Sequence, residues 1–391
     1  MDARQLRSAP NVNGRAMKTC DVLIVGGGPA GSTCAWRLRQ AGLDVLVADG
    51  AVFPRDKVCG GWITPQVFTE LGIDPEEYRQ TRTLQPITGF RCGFVGGRQE
   101  IETRYGGPVS YGIRRCEFDH YLLRRSNARV MQGTAIVRIR KEGAHWVVND
   151  NIRTPMIVGA GGQLCPVARQ MNGPANLTPL VVAQEAEFPI DDCESASVAI
   201  EHDVPELYFS RDLNGYGWCV RKQEYLNVGF GRLGGHALPK ASAEFAAFLK
   251  ARRKIGQRVA WRWRGHAYAL YGIPHRRIVD EGVVLVGDAA GLAYPQSGEG
   301  IGPAVESGLI AAATIVEARG DYGRHPLAQY ENQLRARLGT GTPHRALSRL
   351  VSTGPGAALA RRIMQTPSFM RHIVLDRWFL HSRQPALSAQ T

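Results

Sequence analysis

The residues with the clearest chemical meaning come early. Gly26, Gly28 and Gly31 stand in the order Gly-x-Gly-x-x-Gly, directly after the apolar run Asp21–Gly26 and at the opening of a helix-like stretch. The first glycine makes a tight turn, and the second clears the backbone for an approaching pyrophosphate. The third lets the helix pack on the strand. Pro29 and Ala30 fill the positions between them. An anion there meets unpaired N–H groups at the positive end of the helix. Asp49 follows at the end of the next apolar run, Asp44–Ala48, 23 residues after Gly26. A carboxylate in that place accepts from a ribose hydroxyl. Strand, Gly-rich turn, helix, Gly42 and second strand make one βαβ unit of about thirty residues. The chemistry implied is dinucleotide binding.

Two distant segments extend that reading. One is Ile113-x-Arg115-x-x-Phe118-Asp119-x-x-Leu122. The other begins at Gly287-Asp288-Ala289-Ala290-Gly291 and runs through Pro295 to Gly298-Glu299-Gly300-Ile301-Gly302. Asp288 ends a buried-type strand, where it can bond polyol hydroxyls. Gly298 and Gly300 offer bare N–H groups at the start of a helix over 302–318, whose positive end stabilises an anion. A plain nicotinamide enzyme has no use for this second Gly-Asp segment, so the ligand is a longer dinucleotide.

Together the three segments resemble the FAD-dependent oxidoreductases of the p-hydroxybenzoate-hydroxylase fold, over roughly residues 18–320. The resemblance implies an α/β architecture: a Rossmann-type FAD-binding domain (the GR2 type) with an inserted antiparallel-sheet substrate domain and a C-terminal helical segment. It implies that Asp49 meets the adenosine ribose, that Arg115 lies along the ribityl–pyrophosphate, and that Asp288 binds ribityl. Gly298, Gly300 and Ile301 then lie near the flavin ring, with Gly287 and Pro295 in the same segment and Ala135 and Gly161 also at the cofactor. One departure stands out. The family's middle Gly-Ala-Asp-Gly reads Gly159-Ala160-Gly161-Gly162 here, so a carboxylate is missing and backbone contacts must serve.

Two further patterns are similar to the geranylgeranyl reductase branch of that fold. One is the loop Pro54-Arg55-Asp56-Lys57-Val58-Cys59-Gly60-Gly61. The other is Tyr216-x-Trp218 followed by Gly229-x-Gly231. The branch's Tyr, Trp and two glycines are kept, whereas its Phe-Pro is replaced by Cys219, Val220 and Arg221. Lys222 and Glu224 are unusually polar for the wall of a lipid cavity. Cys59 is either a small residue packed near the flavin or a proton-donating thiol, and a reactive thiol needs a polar site. Arg55 and Lys57 are neighbours that could provide one, or they pair with cofactor phosphate or acidic side chains; with Gly60 and Gly61 they count as cofactor-binding. Tyr216 and Trp218 alternate along a strand, so both rings face one side, as core or as pocket wall. Cys59, Tyr216 and Trp218 are the catalytic candidates. His266 and His275 are isolated and read as structural.

Three chemistries compete. The first is reduction of carbon–carbon double bonds in an apolar isoprenoid-like or polyketide-like substrate, with NAD(P)H or ferredoxin as electron donor. The second is oxygen-using hydroxylation or halogenation, although the halogenase signature WxWxIP is absent. The third is electron transfer to a redox partner.

Composition bounds these readings. The chain has 391 residues, 44% hydrophobic and 21% charged, a globular composition with length for two or three packed domains. Segmentation by pattern gives a disordered extension over 1–16 and an FAD-binding domain from 17–80, 106–170 and 270–325. The substrate sheet comes from 81–105 and 171–269, and a helical region from 326–391. Helices are expected over 65–80, 117–126 and 242–253, and strands over 130–139, 144–149 and 156–160. The first sixteen residues lack the apolar run of a secretory signal, and Met17 offers a second start. Eight cysteines are scattered singly, with no zinc spacing, as in a reduced cytoplasmic protein. The net charge of +13 suits an anionic ligand, an anionic membrane surface touched from the inner face, or a merely solvated surface. No nucleic-acid module is visible. Basic residues of the C-terminal helices (Arg335, Arg337, Arg345, Arg349, Arg361, Arg362) could face lipid headgroups.

Overall fold

The computed structural model describes residues 17–173, 180–190, 198–257, 262–272, 276–339 and 354–387. Its centre is a six-stranded sheet in the order Val279–Asp280, Val283–Leu285, Met156–Gly159, Val22–Val25, Val45–Ala48, Arg129–Met131. Every neighbouring pair is parallel except the hairpin of the first two. Val22, Leu23, Ile24, Ile157 and Val158 are wholly buried, which is why these strands read as unbroken apolar runs rather than alternating ones. Gly26 leaves the first strand at φ +113°, a backbone state that side chains rarely adopt. The helix Pro29–Gln40 starts directly after this turn. A Cβ on Gly31 would sit 2.0 Å from the Gly26 carbonyl oxygen, so the glycine is what lets helix and turn close.

A seven-stranded sheet forms the second layer, in the order Arg264–Tyr268, Val181–Pro189, Tyr225–Leu233, Gly215–Lys222, Glu206–Phe209, Gly89–Phe94, Glu100–Arg104. It is antiparallel apart from one parallel pair, Glu206–Phe209 with Gly89–Phe94. The helix Leu238–Ala251 covers one face through Phe245 and Leu249, which pack with Tyr208, Cys219 and Phe230. The opposite face carries Phe94, Leu207, Phe209, Trp218 and Val220, which pack with Met364, Met370, Val374 and Phe379 of the C-terminal segment. A three-stranded sheet of Trp62–Ile63, Ser110–Ile113 and Leu84–Ile87 and a four-stranded sheet ending at Ile139–Glu142 complete the strands.

Several expected elements shift. The helix over 65–80 is two, Pro65–Leu71 and Pro75–Arg79, because Gly72 turns left-handed at φ +58° and Pro75 restarts the chain. The strand over 130–139 splits: Arg129–Met131 extends the parallel sheet, while Ile139–Glu142 pairs with His145–Val148 elsewhere. Ile152–Thr154 is an additional strand. The helices expected at 117–126 and 242–253 run Arg115–Arg125 and Leu238–Ala251. Beyond 326 the described chain is helical, including the π-helix Met370–Phe379. No helix among the described residues is long and apolar enough to cross a membrane. Arg337 does not belong to a basic surface. It turns inward to Glu306 at 2.5 Å and Glu70 at 3.4 Å, because those two buried carboxylates need a counter-charge. Arg335 and Arg362 are exposed. Residues 1–16, Cys193, His275, Arg345 and Arg349 lie outside the described residues.

Candidate active site

A cleft of about 740 Å³ runs from the Gly-rich turn, past the 55–61 loop, to the seven-stranded sheet. That volume lies in the range of sites for cofactors and small molecules, ~300–1,000 Å³.

At one end is the start of the Pro29–Gln40 helix. Gly28 precedes it, and no side chain caps its first N–H groups. Those donors and the helix dipole are left for an anion. Asp49 stands beside them. Its two carboxylate oxygens each take one backbone donor, Gly27 N–H at 2.7 Å and Ala51 N–H at 2.8 Å. The remaining lone pairs can accept from ribose hydroxyls. Ala135, Gly161, Gly162 and Gln163 line the same stretch. Gln163 Oε1 is buried without a hydrogen-bond partner among the described residues, a polar atom in want of a donor, where the family's carboxylate is missing.

In the middle of the cleft, Arg115 grips Asp119 through two hydrogen bonds of 2.8 Å, both residues buried. Arg55 reaches the same carboxylate at 3.2 Å while its guanidinium lies over the Phe53 ring. Two guanidiniums on one carboxylate leave a net positive charge facing the cleft, which suits a pyrophosphate. Burial pushes the Arg115 guanidinium down, but Asp119 and Cys59 beside it reverse this and hold it above its ordinary value.

Farther on, Lys57 Nζ lies 3.2 Å from Asp288. Burial acts to raise the Asp288 carboxyl, but Lys57 and His266 outweigh it and hold it well below the usual carboxylate range. His266 Nε2 stands 3.7 Å from that carboxylate, too far for a hydrogen bond, and has no hydrogen-bond partner among the described residues. Gly298, Gly300, Ile301 and Glu299 close this end. The Glu299 carboxylate accepts from Gly302 N–H at 2.6 Å, and burial pushes it up to about 7. Uncapped donors, paired cations and orphan acceptors along one trough fit a long anionic dinucleotide such as FAD.

The structure brings Cys59, Tyr216 and Trp218 into the wall of the same cleft. Cys59 is half-buried, and its Sγ accepts from Gly61 N–H at 3.4 Å. The cation beside this thiol is Arg115, whereas Arg55 and Lys57, its sequence neighbours, turn to Asp119 and Asp288. Of the two roles open to Arg55 and Lys57, pairing with acidic side chains is the one the structure shows, rather than polarising the thiol. Tyr216 donates to the Ser297 carbonyl, and Trp218 Nε1–H donates to Asn227 Oδ1 at 2.7 Å. The two rings stand 6.0 Å apart. Burial raises the Tyr216 hydroxyl well above its ordinary value, so it stays protonated. Gly26, Gly28, Pro29, Ala30, Gly60, Gly61 and Gly287 also line the cleft. Gly31 and Pro295 do not: Gly31 is spent on helix packing, and Pro295 is partly exposed beyond the wall.

Sequence reasoning passed over Asn227, Glu185, Glu299, Gln163 and Tyr268. The signal for one pair was present. Glu185 and Glu187 alternate in the strand Val181–Pro189, opposite Gly229 and Asn227 of the next strand, so they point to the face that bears Trp218.

The fold is that of the FAD-dependent oxidoreductases of the p-hydroxybenzoate-hydroxylase type. Residues 24–76, the first βαβ unit and the loop after it, match the NAD(P)-binding Rossmann-like domain family. A geranylgeranyl diphosphate reductase of Rhodobacter capsulatus is 30% identical over 315 residues, 75% of this chain and 74% of that protein. A digeranylgeranylglycerophospholipid reductase of Methanothrix thermoacetophila is 29% identical over 339 residues, 82% of this chain and 84% of that one. Among solved structures, a geranylgeranyl bacteriochlorophyll reductase-like protein of Thermoplasma acidophilum superposes with a TM-score of 0.74 at 22% identity. It covers 94% of this chain and 99% of its own. The chain belongs to the geranylgeranyl reductase family.

Proposed function

We propose that the protein reduces carbon–carbon double bonds of an isoprenoid substrate, with FAD as its cofactor. FAD, once reduced by NAD(P)H or a ferredoxin, supplies the hydride. The chain's own residues do the rest. The uncapped helix start, Arg55 and Arg115 hold the phosphates, Asp49 the ribose, and Asp288 with Lys57 the polyol region. Tyr216 and Trp218, with Trp62 beside them, form an apolar wall that orients the alkene and keeps water out. Cys59 gives its thiol proton to the alkene carbon that does not receive hydride. The thiolate left behind is stabilised by the Arg115 guanidinium and later takes a proton from water. Hydride and proton together add two hydrogens across the double bond.

The observation that carries this reading is the position of Cys59, beside a buried guanidinium and in the wall of the same cleft as Tyr216 and Trp218. Anaerobic incubation of the reduced protein with isoprenoid alkenes tests it. Flavin should reoxidise with formation of a product heavier by two hydrogens, and Cys59→Ala should keep its flavin but lose this turnover. Reoxidation by oxygen alone, with a hydroxylated product, would overturn the reading. Delivery of an apolar substrate also favours peripheral contact with anionic lipid through exposed Arg362, Leu359 (60% exposed) and Ile363 (39% exposed). Co-sedimentation with anionic but not neutral vesicles is expected.

A further inference from the structure

One buried side chain ties the two halves of the candidate active site together. Trp218 has only a donor, its indole N–H, and that donor meets Asn227 Oδ1 at 2.7 Å. The Asn227 amide is thereby oriented, and its NH₂ must face the other way. There it donates to the Cys59 carbonyl at 3.2 Å, to Glu185 at 3.2 Å and to Glu187 at 3.1 Å. Glu185 completes the ring by accepting from Cys59 N–H at 2.6 Å. Both backbone groups of Cys59 are therefore held by this cluster. Asn227 is 1% exposed and Glu185 6%, so water does not compete for these bonds. The Trp218 ring lies between Gly60 of the loop and Gly229 of the adjacent strand; an added Cβ would stand 3.4 Å and 2.1 Å from it. None of these contacts involves the Cys59 thiol, whose Sγ instead accepts from Gly61 N–H at 3.4 Å.

We infer that Asn227 is a positioning residue. It ties the Cys59 backbone and the Trp218 indole to one amide, and so fixes the gap between the proton-donating thiol and the aromatic wall where the alkene lies. Glu185 is the second arm of this clamp. The inference rests on the roles proposed above for Cys59 and Trp218, but the clamp can be measured without any substrate.

The clamp has a charge environment of its own. Glu187 is paired with fully buried Lys222 at 2.7 Å and with Arg114 at 3.3 Å. Arg264 stands on the neighbouring strand, and Asp56 of the loop pairs with it at 2.5 Å. Burial pushes the Glu185 carboxyl up to about 7, with Lys222, Cys59 N–H and Asn227 opposing. Loss of its proton strengthens its acceptance from Cys59 N–H, so the loop tightens as pH rises through neutrality.

The test uses the FAD-loaded full chain. Amide hydrogen exchange should show Cys59 N–H protected in the wild type. Alkylation of Cys59 by iodoacetamide, followed by peptide mass mapping, should be at least about tenfold faster in Asn227→Leu at unchanged flavin content. Glu185→Gln keeps an acceptor for Cys59 N–H. It should stay within about threefold of the wild type at the same pH. With a turnover assay in hand, Asn227→Leu should lower kcat more than it raises KM. If Asn227→Leu loses flavin or does not fold, Asn227→Ser and the wild-type exchange pattern carry the test. Exchange of Cys59 N–H at the rate of an open loop, or unchanged alkylation in a folded Asn227 variant, overturns the clamp. A protected, clamped Cys59 in a protein that reduces no alkene would overturn the proposed function and leave the clamp standing.

Discussion

Gly229 offers the sharpest stability test, because a single methyl group there meets a ring that has nowhere to go. In the register of the sheet Gly229 lies directly opposite Trp218. A Cβ would fall 2.1 Å from Trp218 Cζ2 and 2.5 Å from Cε2, with the Gln184 carbonyl oxygen at 2.8 Å. The indole cannot swing aside, since Gly60 bounds it and Asn227 holds its N–H. Overpacking of this kind costs about 1–3 kcal/mol. If the ring is forced off Asn227, a buried donor is left unpaired at about 1–3 kcal/mol more. Gly229→Ala should therefore destabilise the protein by about 1–3 kcal/mol if the ring keeps its bond to Asn227, and by about 2–6 kcal/mol if it does not. Trp218→Phe removes the atoms that collide. Gly229→Ala combined with Trp218→Phe should then cost less than the sum of the two single changes, by at least about 1 kcal/mol, within the range for residues in contact. The assay is denaturant unfolding at a fixed FAD concentration, since bound cofactor adds its own stabilisation. Costs that add to within about 0.5 kcal/mol would show that the ring and the glycine do not meet, and would remove the stated reason for the Tyr-x-Trp and Gly-x-Gly pairing.

Three other outcomes follow from the same geometry. Asp49→Ala removes a carboxylate that would bond the ribose, a charged contact of about 1.5–3 kcal/mol. FAD affinity in a fluorescence titration should fall about tenfold to a hundredfold. Arg115→Lys cannot reproduce the two-point grip on Asp119. It should weaken FAD binding, read by fluorescence titration on purified protein. Glu185→Gln should change the pH dependence of stability. Burial raises this carboxyl from 4.5 to about 7, so the folded chain keeps a proton that the unfolded chain has lost. That contribution is full below about pH 4.5, falls as pH rises, and is gone above about 7. Relative to wild type, the glutamine variant should gain up to about 3 kcal/mol across that window, measured by unfolding at each pH; a difference that stays flat would refute it.

What could be read in the sequence was whatever local pattern dictates. The run Val22–Val25 is buried on both faces, as four consecutive apolar residues running into a Gly-rich turn suggest, and Gly26 turns at φ +113°. Asp49 follows from the length of one βαβ unit. What escaped depended on residues that meet only after folding. That Arg55 and Lys57 pair with acidic side chains was legible, but that the carboxylates are Asp119 and Asp288, and that the guanidinium at the Cys59 thiol comes from Arg115, was not. Asn227 gave no sign of its role, because its three acceptors and its donor come from the 55–61 loop and two other strands. The π-helix Met370–Phe379 has no distinct sequence period. The apolar sheet face against which it packs gives it its place.

Lys222 shows how a polar residue can sit in this sheet without spoiling an apolar cavity. Tyr216, Trp218, Val220 and Lys222 share one face of their strand by alternation. The first two line the cleft, and Val220 joins the apolar cluster under the C-terminal segment. Lys222 comes last, at the strand's end, beneath Gly61, where an added Cβ would stand closer to its Nζ than any contact allows. Its charge is spent on Glu187 at 2.7 Å. The polarity is thus confined to the underside of the Cys59–Gly61 loop and does not reach the face that would hold an isoprenoid chain. Burial acts to raise the Glu187 carboxyl, but Lys222 reverses this and holds it below its usual value, so the pair stabilises the fold at neutral pH and weakens as pH falls. Lys222→Met should leave Glu187 with Arg114 and the Asn227 amide as its remaining partners and destabilise the protein, by less than the ~3–5 kcal/mol of a fully broken buried pair. Lys222→Met together with Glu187→Leu removes both charges and should recover most of that loss. If the double variant is no more stable than Lys222→Met alone, the lysine acts through the packing of its methylenes under Gly61, and the electrostatic account of this corner of the site is wrong.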